Sequence, residues 1–211
     1  KNNSFFDNLA MVLALMGISM PVFWMGILLI ILFSVQLDWL PISGMLSIDT
    51  RLSEITGFTL VDSLLTANLP ALKDYVAHLL LPAITLGVVP TALTARTTRA
   101  SILDVVHEDY VKASLARGLS FREALRKHVF RNAFIPVITV IGLQFGIYLG
   151  GSIVTESVFA WPGLGRLVVN AIYDRDYPVV QAAVFIYAII IVLVNLVVDL
   201  FYAYIDPRVR L

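Results

Sequence analysis

The run Tyr75–Ala95 reads YVAHLLLPAITLGVVPTALTA, 21 residues without one Asp, Glu, Lys or Arg. A helix of that length rises about 1.5 Å per residue and covers roughly 30 Å, the thickness of a bilayer's hydrocarbon core. Three further charge-free runs separate Asp7 from Asp38, Arg131 from Glu156, and Asp176 from Asp199. Each again holds about 20 residues or more, the length a spanning helix needs. A soluble core helix needs only an apolar stripe, so four such runs predict an all-α, polytopic membrane protein. Its four spans are expected near residues 9–36, 76–95, 133–155 and 179–204. Composition agrees: 59% of the 211 residues are hydrophobic and 14% charged, against about 25% charged in soluble domains.

The formal net charge is zero, so nothing in the overall balance favours nucleic acid. Cysteine is absent and the three histidines, His78, His107 and His128, are scattered. Disulfides, thiol chemistry and a cysteine or histidine metal site are therefore not expected. The chain opens at Lys1, with no signal peptide, and reads as a piece of a longer protein.

The segment between Arg96 and Arg131 carries eight of the fifteen Lys and Arg residues, whereas segments 37–74 and 156–178 carry two each, outnumbered by acids. The positive-inside rule places 96–131 in the cytoplasm, the other two segments outside, and both ends of this chain inside. Pro21, Pro82 and Pro90 fall within spans, as packing bends or marks of a moving helix. Gly142, Gly146 and Gly150 stand four apart, a spacing that allows another helix close approach. Gln144 lies off that stripe and, with Tyr148 one turn on, is a candidate lining of a passage; an interhelical hydrogen bond is the simpler reading. Asp199 near the inner end of its span costs less than the about 2.5–3.5 kcal/mol of a mid-membrane carboxylate, and suits an ion pair. His78 can reach the interface.

The polar stretch EDYVKASLARGLSFREALRKH, Glu108–His128, predicts two short helices around Gly118. Gly118 suits a left-handed stop after a helix over Asp109–Arg117. Ser120-Phe-Arg-Glu123 has the form of a capping box. Phe121, Ala124, Leu125, His128 and Val129 then mark one apolar face, with Glu123 and Lys127 paired on the other. Such a loop could lie on anionic headgroups, serve regulation or assembly, or dock a cytosolic partner that transmits force.

The loop resembles the EAA loop of permease subunits from ATP-driven, binding-protein-dependent importers. Lys112-Ala113-Ser114 stands where that family has Glu-Ala-Ala, and Gly118 falls on the family glycine; His128-Val-Phe-Arg131 and NAFIP replace the closing motif. ISMPVFW, LPISG, LLLPAITLG, TESVFAWPGLGRL, RDYPVVQ and DPRVR extend the resemblance over essentially the whole chain, towards the dipeptide, oligopeptide and nickel branch and the first, B-type, of its two permeases.

The resemblance implies residues 1–211 of a single type I ABC importer transmembrane domain, the last four of six helices, in a prokaryotic cytoplasmic membrane. It implies a second homologous permease, two cytosolic ATPases and an extracytoplasmic solute-binding protein. Lys112, Ala113, Ser114, Ala116, Arg117, Gly118 and Leu119 would form the ATPase-coupling element. ATP and Mg would be held by the ATPases, because this chain has no GxxxxGK[ST] loop and Gly163-Leu-Gly165 lacks the third glycine of a dinucleotide fingerprint. No cofactor, metal or catalytic residue is expected in this chain. A secondary transporter or channel would call for internal repeats or mid-membrane ionisable groups, and a membrane scaffold would leave the Gly118 spacing unexplained.

Overall fold

The computed structural model describes residues 17, 19–149 and 153–205. These are helical and without strands. Helix α1, Val22–Leu29, starts where Pro21 stands in extended conformation (ψ 137°) as its N-cap. Proline has no N–H to continue an earlier helix and fits this boundary position. So Pro21 interrupts the first predicted span rather than bending it. A π-helical turn, Ile30–Gln36, extends α1, giving an apolar stretch Val22–Gln36 that is short for a crossing. The rest of that predicted span falls largely outside the described residues.

After α2 (Thr59–Leu65) comes α3, a 38-residue helix from Leu69 to Val106. It runs through both Pro82 and Pro90 and beyond the charge-free run, so residues 96–106 continue the helix. The short helices α4 (Asp109–Ala116) and α5 (Phe121–Ala124) follow. A π-helical turn, Leu125–Val129, leads into α6 (Phe130–Leu149), which contains Pro136. Then come α7 (Ile153–Val158), α8 (Leu164–Tyr173) and α9 (Tyr177–Ile205). Among the described residues, three stretches are long and apolar enough to cross a membrane: Leu69–Val106, Phe121–Phe145 and Tyr177–Val197. In the last, Val184, Phe185, Val192, Leu193 and Leu196 are all exposed. A water-soluble fold avoids such a continuous apolar surface, and a bilayer or an apolar partner satisfies it.

The described residues form two compact units. One comprises residues 20–87 and 153–185 and is built around Phe159, its largest fully buried side chain. Gly26 on α1 lies against this ring: a Cβ there would meet Phe159 Cε2 at 3.2 Å and the Thr85 methyl at 3.4 Å. The backbone N–H of Gly44 donates to the Phe159 carbonyl at 2.9 Å, and Ser34 Oγ donates to the Pro41 carbonyl at 3.1 Å. Phe159 of SVFAW is thus met by α1 at its ring, through Gly26, and by LPISG at its carbonyl, through Gly44. Two carboxylates fold the intervening segment. Asp62, buried, accepts from the N–H groups of Ile55, Thr56 and Gly57 and from Thr56 Oγ1. Led by the Thr56 hydroxyl, these donors hold its carboxyl below the ordinary aspartate value, against the opposing effect of burial. Asp74 accepts from Ser47 N–H at 2.7 Å and from the Ser47 and Thr50 hydroxyls, with His78 Nδ1 3.3 Å away.

The WPGLGR turn closes the same unit. The Glu156 carboxylate accepts from the N–H of Arg166 at 2.8 Å. It thereby satisfies a free donor at the start of α8, where the helix dipole favours a negative charge. Arg166 Nη1 donates to the Ala160 carbonyl at 2.7 Å. A Cβ at Gly163 would fall inside the Glu156 carboxyl group, and one at Gly165 would meet Ile153 Cγ1 at 2.8 Å. Trp161 packs against Tyr75, ring centroids 5.8 Å apart.

Candidate functional site

The second unit comprises residues 88–149 and 186–205, with 17 and 19, and contains the polar loop. Its helix α4 ends in a Schellman closure. The N–H of Gly118 donates to the Leu115 carbonyl at 2.9 Å, and that of Leu119 to the Ser114 carbonyl at 3.3 Å. Gly118 has φ +93°, the left-handed conformation this closure requires and which side chains resist. Two residues on, Ser120 caps α5. Its hydroxyl accepts from the Glu123 N–H at 3.3 Å, and the Glu123 carboxylate accepts from the Ser120 N–H at 3.0 Å. That is the capping box expected from the sequence. The Glu123 carboxylate therefore turns back to Ser120, and Lys127 acts on it as a nearby charge.

The expected apolar face holds in part. Ala124 and Val129 are buried and Leu125 packs beside them, but Phe121 is 54% exposed. Phe121 is the first residue of α5 and lies outside the cluster, while His128 is half-buried as expected. In the π-helical turn that follows, the N–H of Phe130 bonds the Leu125 carbonyl five residues back.

Helix α4 is two-faced. Val111 and Ser114 are 1% exposed, and Ser114 Oγ donates to the Val111 carbonyl at 2.7 Å. Lys112, Ala113, Leu115, Ala116, Arg117 and Gly118 are exposed, and Leu119 is half-buried. Of the seven candidate coupling residues, five lie on the open face, while Ser114 points into the fold. Lys112 Nζ pairs with Asp109 at 2.9 Å, and this cation, with its hydrogen bond, holds the Asp109 carboxyl below the ordinary range. Arg117 Nε donates to the Ala113 carbonyl at 3.3 Å. Arg122, Arg126 and Lys127 are also exposed nearby in sequence, so the loop presents a short, small-residue helix among cations.

Gln144 is buried in α6 and donates from Nε2 to Thr94 Oγ1 of α3 at 3.3 Å, the interhelical hydrogen bond of the simpler reading, while its Oε1 has no partner among the described residues. Tyr148 is half-buried. Gly142 is buried and Gly146 lies within α6; Gly150 falls outside the described residues. Among the described residues no three His, Cys, Asp or Glu side chains come together as a metal site. Sequence reasoning missed Val111, which the i, i+3 pair Val111/Ser114 could have suggested. It also missed the hydrogen bond from Asn132 Nδ2 to Tyr110 Oη, 2.8 Å, which no spacing announces.

Residues 1–211 match the family described as binding-protein-dependent transport system inner membrane component, and the chain belongs to that family. It is 48% identical over 210 residues to the di/tripeptide transport system permease protein DppB of Pseudomonas aeruginosa, covering all of this chain and 62% of that protein. It is 47% identical over 213 residues to the dipeptide transport system permease protein DppB of Escherichia coli K12, covering all of this chain and 63% of that protein. To the glutathione transport system permease protein GsiC of the same strain it is 45% identical over 204 residues, 97% of this chain and 58% of that protein. The chain thus spans about three fifths of the length of these relatives.

Proposed function

We propose that this chain is the greater part of a membrane-spanning permease subunit of an ATP-driven importer of dipeptides or short oligopeptides. The observation that carries the reading is the open face of α4, a preformed helix whose exposed Lys112, Ala113, Ala116 and Arg117 combine small size with positive charge. A groove lined by acids on a cytosolic ATPase would accept it, with the small residues allowing close approach and the cations pairing at its edges. ATP and Mg belong to two such ATPases, a second permease completes the pathway, and an extracytoplasmic binding protein delivers the solute. The subunit crosses a prokaryotic cytoplasmic membrane, four times within this chain, with both of the chain's ends and the loop 96–131 in the cytoplasm. Segments 37–74 and 156–178 lie outside. Tyr148 lines the passage, with Gln144 behind it tying α6 to α3 through Thr94, and Gly142, Gly146 and Gly150 let a neighbouring helix close on α6. The peptide assignment rests on the names of the relatives at 47–48% identity.

A cysteine at Ala116 of the full-length protein, which lies in a chain stretch free of other cysteines, tests the reading. Crosslinking to the co-expressed ATPase is expected, with a yield that changes on adding ATP. Free labelling by a cytoplasmic thiol reagent with no ATPase captured would overturn it.

A further inference from the structure

The buried side of α4 carries a second message, which rests on the coupling reading above. Val111, 1% exposed, forms one cluster with Ala124 and Val129, and Ile102, Val105 and Val106 from the end of α3 pack against it. One small core therefore joins the end of α3, the short helix α4, helix α5 and the π-turn that begins α6. The chain links are equally short. His107 N–H bonds the Asp104 carbonyl and Glu108 N–H the Val105 carbonyl at 3.2 Å each; on the other side stand the Gly118 closure and the Ser120 capping box. Tyr110, at the start of α4, accepts from Asn132 of α6 at 2.8 Å and meets His128 edge to face, centroids 6.4 Å apart.

We infer that Val111 is a positioning residue for transport: seated in this core, it fixes α4 to the ends of α3 and α6 so that all three move as one body when α4 is displaced. The physical ground is the character of packed interiors. A close-packed core transmits displacement, whereas a helix held only by flexible links would absorb it. In this arrangement Gly118 is a fixed stop, and the compliance needed for a conformational change lies beyond the cluster.

The test uses the full-length permease assembled with its partner permease, ATPases and binding protein in proteoliposomes, with a labelled dipeptide as probe. Val111→Ala is expected to keep the Ala116 crosslink to the ATPase and to lower peptide transported per ATP hydrolysed at least threefold. Val111→Ile, which refills the site, is expected to restore the ratio to within twofold of the parent. Tyr110→Phe, which removes only an exposed hydrogen bond, should lower it less than Val111→Ala does. An unchanged ratio in Val111→Ala with the crosslink retained would overturn the inference. If Val111→Ala does not assemble, a normal ratio in both Tyr110→Phe and an Asn132→Ala variant would overturn it instead. Absence of the crosslink in the parent would defeat the coupling reading itself.

Discussion

The turn around Gly163 and the stop at Gly118 both depend on glycine, for opposite reasons. At Gly163 the backbone is ordinary (φ −117°) and the space is taken by the Glu156 carboxyl group. At Gly118 nothing lies within 4 Å of where a Cβ would stand, but φ is +93°. The first glycine answers to a neighbour packed against it, the second to its own dihedral angle. The difference matches what each region presents. WPGLGR is folded inward on a carboxylate, whereas α4 keeps most of its motif residues on an open face.

The comparison can be broken most sharply at Gly163. Gly163→Ala should lower dipeptide uptake at least tenfold and destabilise the purified subunit by about 1–3 kcal/mol, the usual cost of overpacking. Glu156→Ala removes the obstruction, so the double variant should behave like Glu156→Ala alone in uptake and in thermal unfolding in detergent. A double variant as impaired as Gly163→Ala would show that the conflict lies elsewhere.

Gly118→Val ranks next. A β-branched residue in the left-handed region costs about 1–2 kcal/mol, and no neighbour exists whose truncation could relieve it. Membrane insertion should be normal, uptake should fall several-fold, and Gly118→Asn should be milder, because asparagine tolerates this conformation. Normal uptake in Gly118→Val would mean that the stop can rearrange without loss.

Ser120→Ala should have the smallest effect, about 1 kcal/mol from loss of the cap. Faster amide hydrogen exchange confined to residues 121–125 would be its signature. An exchange increase reaching Val111 would show that the cap also supports the α4 core.

Much of the local design of this chain is legible in order. The charge-free runs around Tyr75–Ala95 and Tyr177–Val198 mark long apolar helices because lipid admits few charges. The end of α4 at Gly118 and the start of α5 at Ser120 are legible because their hydrogen bonds close within three to five residues. Other features depend on partners far along the chain. The sequence presents Ser114 as one of several small residues of α4, yet its side chain is buried with Val111, and only the packing of α3 and α5 decides that. Phe121 fits an apolar stripe at helical spacing, but it stands at the first position of α5, outside the Val111–Ala124–Val129 cluster, and is exposed. Pro21 could as well have kinked a helix as ended one. Glu156 is seven residues from Gly163, and Phe159 is 133 residues from Gly26; neither pair is announced by periodicity. The sequence by itself settled that long apolar helices run through residues 75–95 and 177–198 and that a short helix stops at Gly118, because those outcomes follow from solvation and short-range hydrogen bonding. Tertiary structure decided which face each helix turns inward and which glycines have a neighbour in the place of a side chain, because close packing is a property of segments brought together only by the fold.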